Sequence, residues 1–390
     1  MLKGSFPVEL FRDMRTPFYF YDIPLLRRTL DAVQEQLDRN PDYRMHYAVK
    51  ANFNPGILAE IAARGFGADC VSGGEVKAAI EAGFPAERIV YAGVGKSDWE
   101  ILLAIEAGIS RFNVESEAEL CVIDELAGRS GRIAPVSLRI NPDIGAHTHA
   151  GITTGLAENK FGICYEQLDK VMDLALNLEN VRYCGLHFHI GSQILDMADF
   201  TALCNRINEL VARLQRGGRP VGDINVGGGL GINYQHPNHL PVADFGAYFD
   251  TFRRHLHLPA GTPVHFELGR SLVAPCGSLI SRVLYVKQGM HKQFCIIDGS
   301  MTELVRPAMY RAWHRVENIS SDEPEEIYDV VGPVCESSDV FAREVSLDKC
   351  RRGDFVAIRS AGAYGESMAS HYNCHPLPAS MLWEPETGKL

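Results

Sequence analysis

Short apolar runs recur along the first two-thirds of the chain and alternate with amphipathic segments. The runs are "MHYAV" (45–49), "GADCVS" (67–72), "IVYAGV" (89–94), "RFNVES" (111–116), "PVSLRIN" (135–141), "YCGLHFHI" (183–190), "DINVGGG" (223–229) and "VHFELGR" (264–270). Runs this short and this apolar suit strands buried on both faces. The segments between them, such as 74–83, 97–108, 116–129 and 200–218, repeat apolar residues every three to four positions, as core-facing helices do. Ser116 followed by Glu119 predicts a capping box at the start of one of them. Strand and helix in alternation imply parallel strands joined by crossover helices. Eight such strands predict an α/β fold closed as a (β/α)8 TIM barrel, with an open doubly wound sheet as the alternative.

After residue 270 the rhythm changes. "LISRVLYVKQG", "KQFCIIDGS", "IYDVVGPVC" and "DFVAIRSAGAYG" read as strands linked by short turns. A C-terminal antiparallel β-barrel or sandwich domain is expected there. The boundaries read as 27–268 for the barrel, and 1–26 plus 269–390 for the β domain, with the strand-like "FYFYDIP" (18–24) in the latter.

The composition of the 390 residues, 46% hydrophobic and 22% charged, is that of a globular protein. A formal net charge of -11 speaks against nucleic acid or an anionic membrane as partner, because both require a basic surface. The ten cysteines form no C-x-x-C pair, and many lie in apolar runs, where a reduced thiol acts as a small hydrophobe. The N-terminal stretch has no signal-like apolar core and no run reaches the roughly 18 apolar residues of a membrane span, so a cytoplasmic location is expected.

In a barrel of this type the active site forms at the C-terminal ends of the strands. Four unusual features fall there: Lys50 after the first strand, "HFHIGSQ" (187–193) ending the sixth, "GGGLG" (227–231) after the seventh and "ELGR" (267–270) ending the eighth. Loops after the last two strands tend to bind phosphate, and glycines let backbone N–H groups approach an anion; a plain tight turn is the competing reading. Arg270 supplies a permanent cation beside them. Glu267 ends an apolar strand, where a carboxylate needs a cation or a donor. Arg270 is the simple candidate, but strand geometry points the two to opposite sides, so a different partner is expected. "HFHIG" admits a metal as well, but the further ligands that such a site needs are missing, so no metal is expected. His147 and His149 in "GAHTHAG" either line the site or are solvated.

A lysine, a phosphate cradle and a carboxylate for a protonated ring nitrogen together describe a site for pyridoxal 5'-phosphate. Lys50 would carry it as a Schiff base, Glu267 would hold the ring nitrogen protonated, His189 would stack on the ring face and Ser192 would hydrogen-bond beside it.

These motifs resemble those of the alanine racemase-like, fold type III pyridoxal-phosphate decarboxylases. The resemblance runs from "FYFYD" to "YNCHPLP" and rests on "YAVKAN", "HFHIGSQ", "GGGLG", "ELGR", "RPAMY" (306–310), "GPVCESSD" (332–339) and "GAYG" (362–365), in the family's order. It implies that Gly228 and Gly229 with Arg270 hold the cofactor phosphate, that Tyr364 contacts the cofactor and that Gly269 belongs to its binding site. It implies further that Arg270, Arg306, Tyr310 and Tyr364 bind substrate, that Cys335 donates a proton and that Glu336 takes a distal ammonium. In relatives the last two enter from a second subunit, so a homodimer with active sites at its interface is implied. The implied reaction is decarboxylation of meso-2,6-diaminopimelate to L-lysine and CO2, the last step of lysine biosynthesis. The alternatives are a decarboxylase of the ornithine, lysine or carboxynorspermidine type, an amino-acid racemase, or a non-catalytic homologue. Two positions depart from the family pattern: Leu268 stands where proline is usual, and Gly145 where aspartate is common.

Overall fold

The computed structural model of the protein describes residues 4–142 and 160–385. It divides into two compact units, Leu30–Gly231 with Asp244–Gly269, and Met1–Thr29 with Ile232–Ala243 and Arg270–Leu390. The insertion Ile232–Ala243, inside the range read as barrel, groups with the second unit. The strand β1 (Phe18–Asp22) belongs to that second unit.

The first unit is a closed barrel of eight parallel strands in sequential order: β2 (Tyr43–Ala48), β3 (Gly67–Cys70), β4 (Ile89–Tyr91), β5 (Arg111–Val114), β6 (Ala134–Arg139), β7 (Val181–His187), β8 (Asp223–Asn225) and β9 (Val264–Leu268). Each predicted run overlaps one of them. Several predicted runs extend past the strand, because the chain leaves the ladder there to build the rim loops. Ser97 and Glu100 form a complete capping box on the helix Asp98–Ala107. At Ser116 only half of the expected box forms. Its hydroxyl accepts from the Glu119 N–H at 3.2 Å, but the Glu119 carboxylate turns to the Glu115 N–H and to Lys96.

Strand alternation sorts the side chains of β9 cleanly. Phe266 faces outward and packs against the rings of Tyr43, Phe249, Phe252 and Tyr248, with centroids between 4.8 and 5.9 Å away. His265 and Glu267 face inward. The interior of this barrel is therefore partly polar rather than filled with branched apolar side chains. His46 Nε2 meets His265 Nδ1 at 2.8 Å, His46 Nδ1 meets the Arg88 carbonyl at 3.1 Å, and His265 Nε2 lies 3.3 Å from Asp223, which also pairs with Arg111. Burial disfavours the imidazolium, and the neighbouring His265 adds to the effect, so the His46 pKa falls to about 3.

The second unit is built on a path β12 (Val316–Asn318), β15 (Phe355–Ile358), β10 (Gly277–Gln288), β11 (Gln293–Ile297), β13 (Glu325–Val331) and β14 (Val340–Asp348), with β1 and β16 (Ala379–Trp383) attached through β10. It is not wholly antiparallel as expected. β11 and β13 run parallel, and so do β1 and β16. Its core gathers Phe11, Phe18, Phe20, Ile280, Phe355, Ala357 and Met381.

Two outcomes follow. Phe266→Ala removes a fully buried ring and is expected to lower the unfolding free energy by about 3–5 kcal/mol in chemical denaturation. Between about pH 6.5 and 3 the unfolded chain protonates residue 46 while the folded chain does not, so stability declines as pH falls through that window, by up to about 1.4 kcal/mol per pH unit for this residue. His46→Gln should flatten that part of the stability–pH curve; an unchanged slope would show that His46 protonates freely in the fold.

Candidate active site

In the barrel unit, β2 runs into a single 3-10 turn, Val49–Ala51, that presents Lys50 at the C-terminal rim. Its ammonium stands 3.9 Å from Asp69 at the end of β3; the lysine side chain is 42% exposed and the aspartate is buried. Burial and the charge of Glu267 push the Asp69 carboxyl up, and Lys50 opposes them. The lysine is thus held near an acid without being covered.

Glu267 is the electrostatic centre. Its Oε2 accepts from His187 Nε2 at 2.9 Å, and its Oε1 accepts from the amides of Asn225 at 2.6 Å and Asn113 at 3.2 Å. β5 and β9 are not ladder neighbours, so the Asn113 bond crosses the barrel interior. Burial alone would raise the Glu267 pKa, but His187, through its charge and its hydrogen bond, leads the opposing effects that outweigh it and hold the carboxyl below its usual range. Arg270 is not needed to explain the buried charge.

His187 and His189 part company. β7 ends at His187, which is committed to Glu267, and the chain then turns so that His189 Nδ1 accepts from the Gly228 N–H at 3.3 Å. Burial and the nearby cations Arg139 and Lys50 hold the His189 pKa well below the normal value, so it presents a neutral ring. No cluster of three metal-ligating side chains occurs among the described residues. Ser192 lies half-buried in the loop after β7, which pairs with the glycine loop through Ile194 and Leu230.

The glycine loop needs its glycines. Gly227 and Gly229 adopt φ of +72° and +115°, and a Cβ on Gly228 would stand 1.9 Å from the Glu267 carbonyl oxygen. The loop therefore lies flush on β9 with only backbone on that stretch, as an anion cradle requires. A Cβ on Gly269 would meet those of Ala48 and Ala51 at 3.0 Å, which ties the end of β9 to the turn carrying Lys50. A neutral ring for stacking, a side-chain-free cradle, an accessible amine and an ionised carboxylate with accepting capacity to spare fit a pyridine ring bearing a phosphate and an aldehyde.

In the second unit, Arg270 and Arg306 are both buried beside Tyr234. Arg270 Nη1 donates to the Tyr234 hydroxyl at 2.7 Å and its guanidinium lies 4.8 Å from the Tyr364 ring. Arg306 sits 4.9 Å from the Tyr234 ring, and its Nη1 donates to His314 Nε2 at 2.8 Å. His314 can accept there because its Nδ1–H donates to the Arg359 carbonyl at 2.9 Å, and burial beside Arg306 lowers its pKa to about 3. Arg306 pairs with no carboxylate among the described residues. Tyr310, half-buried, ends the short helix that Arg306 begins. Tyr364 holds a left-handed φ of +55°, an uncommon conformation for a bulky residue and a mark of functional sites.

Cys335 and Glu336 are exposed, whereas five of the other nine cysteines are buried. Their loop is fixed from beneath by Asp339, whose carboxylate accepts from the N–H groups of Val334 at 2.9 Å and Met301 at 2.7 Å. The Tyr372 hydroxyl donates to Glu336 Oε1 at 2.5 Å. Asn113, Asn225, Asp69, Tyr234, His314, Asp339 and Tyr372 were not anticipated from sequence. Each is a single polar residue in ordinary surroundings. Gly145, His147 and His149 lie outside the described residues.

Residues 25–274 match the family model for the pyridoxal-binding domain of pyridoxal-dependent decarboxylases. The chain is 60% identical over 377 residues to a curated diaminopimelate decarboxylase of Bacteroides thetaiotaomicron, covering 97% of this chain and 98% of that one. A crystal structure of diaminopimelate decarboxylase from Helicobacter pylori complexed with L-lysine superposes with a TM-score of 0.90 at 38% identity, over 97% of this chain and 94% of that one. The diaminopimelate decarboxylase of M. jannaschii, also in complex with L-lysine, gives 0.89 at 36% identity over 97% and 89% of the two chains. With a site built for pyridoxal phosphate and likeness along almost its whole length, the chain belongs to the diaminopimelate decarboxylase family of pyridoxal-dependent decarboxylases.

Proposed function

We propose that the chain removes CO2 from meso-2,6-diaminopimelate to leave L-lysine, and that pyridoxal 5'-phosphate is its cofactor. The observation that carries this reading is Glu267, a buried carboxylate kept ionised at the end of β9 by three donors. When bound, the cofactor supplies an electron sink for the pair released as the carboxylate leaves. Lys50 would be the amine that holds it. Glu267 would keep the ring nitrogen protonated, and the neutral His189 ring would stack against it. The backbone of Gly228 and Gly229 with the Arg270 guanidinium would take the phosphate, with Tyr364 in contact; Ser192 would hydrogen-bond near the ring, and Gly269 is assigned to the cofactor as well.

Arg270, Arg306, Tyr310 and Tyr364 are assigned to substrate. Arg306 is held by a neutral histidine, so its charge remains available for a carboxylate. Glu336 takes the distal ammonium, and the Cys335 thiol delivers a proton to the carbon that lost CO2. Both are exposed on a loop with a fixed backbone, which supports their service to a second copy of the chain in a homodimer. No described helix is long and apolar enough to cross a membrane, all ten cysteines are free, and the net charge is -11; we place the reaction in the cytoplasm, without nucleic-acid partners.

Offered meso-diaminopimelate, ornithine and lysine together, the protein should form lysine from the first; putrescine as the sole product would overturn the Glu336 assignment. Lys50→Ala should abolish CO2 release and the borohydride-fixable attachment of cofactor to protein; retention of either refutes the role of Lys50. His314→Phe removes the acceptor that orients Arg306 and should raise KM about tenfold while changing kcat little. An unchanged KM would remove Arg306 from substrate binding.

A further inference from the structure

We propose that His187, Asn113 and Asn225 are positioning residues that fix the Glu267 carboxylate so that Oε2 is the oxygen offered to the cofactor's ring nitrogen. This rests on the assignment of Glu267 to that nitrogen.

A carboxylate accepts about four hydrogen bonds in its plane, two on each oxygen. Oε1 is filled by the two asparagine amides, and Oε2 receives His187 alone, so the position left is on Oε2. The orientation of each donor is itself fixed. Asn225 Oδ1 accepts from the Gly227 N–H at 2.9 Å, which turns Nδ2 toward Glu267 and ties the carboxylate to the first residue of the glycine loop. Asn113, His187 and Asn225 come from β5, β7 and β8 and are all buried. His187 Nδ1 and Asn113 Oδ1 are buried without a hydrogen-bond partner among the described residues. These side chains make one bond each, to Glu267, and leave their other polar atom unsatisfied. A fold selected for stability alone would replace them with apolar groups; their burial here is explained by the carboxylate they aim.

The test uses holoenzyme carrying cofactor labelled with 15N at the ring nitrogen, read by NMR, together with the rate of cofactor release. The parent should show a protonated nitrogen and Glu267→Gln an unprotonated one. His187→Leu should shift the signal toward the unprotonated form and speed release by about tenfold to a hundredfold. His187→Gln, which keeps an N–H donor, should restore most of the parent signal and rate. If His187→Leu does not fold, Asn225→Ser carries the same expectation. A Glu267→Gln signal equal to that of the parent would overturn the ring-nitrogen assignment itself. If Glu267→Gln loses the proton while His187→Leu and Asn225→Ser match the parent, that assignment stands and the positioning role falls. His187→Gln behaving as His187→Leu would also overturn the role, since the donor would not be what mattered.

Discussion

The rest of the structure is arranged around one buried negative charge. Desolvating a carboxylate is among the most unfavourable things a fold can do, and Glu267 is tolerated inside the barrel only because three donors converge on it. That requirement reaches into β5, β7 and β8, each of which must spend an inward position on a polar side chain. Phe266, immediately before Glu267, shows both demands on adjacent residues: one side chain turned out among four aromatic rings, the next turned in among hydrogen bonds.

The same logic appears with opposite sign in the second unit. Arg306 is buried, yet the atom that satisfies it is a neutral imidazole nitrogen rather than a carboxylate. A salt bridge would have cancelled the charge, whereas a neutral acceptor orients the guanidinium and leaves the charge to act. His314 serves only in one tautomer, and the Arg359 carbonyl selects it. Buried charges steadied by neutral neighbours form sites for ions of opposite sign, because the residual field is not spent within the protein.

The barrel was legible because parallel strands buried on both faces read as apolar runs, and eight of them favoured a closed barrel over an open sheet. β12, β14 and β16 went unseen for the converse reason. "VFAREVSLD" carries charges on an exposed face and lacks the continuous apolar character that marked the others. The rim residues Lys50, His189, Gly228 and Glu267 stand out in the sequence because each breaks a local expectation at a predictable place. Their supports do not, because an asparagine in "RFNV" or "DIN" has no local signature; its meaning lies in a partner some 40 to 150 residues away.

Exposure alone does not distinguish Cys335, since Cys121, Cys164 and Cys374 are exposed as well. What distinguishes it is the backbone beneath it. Asp339 accepts from two N–H groups, and a Cβ on Gly332 would stand 2.3 Å from its carboxylate, so the turn is braced from within and has no room for a side chain at Gly332. Glu336 is further held by Tyr372. A surface loop free of function gains little from such restraint, whereas a loop that must present a thiol and a carboxylate to another surface benefits from being ordered before it arrives, because the entropy loss no longer opposes association. The bracing of an exposed turn is thus the local feature that sets Cys335 apart from the other exposed cysteines.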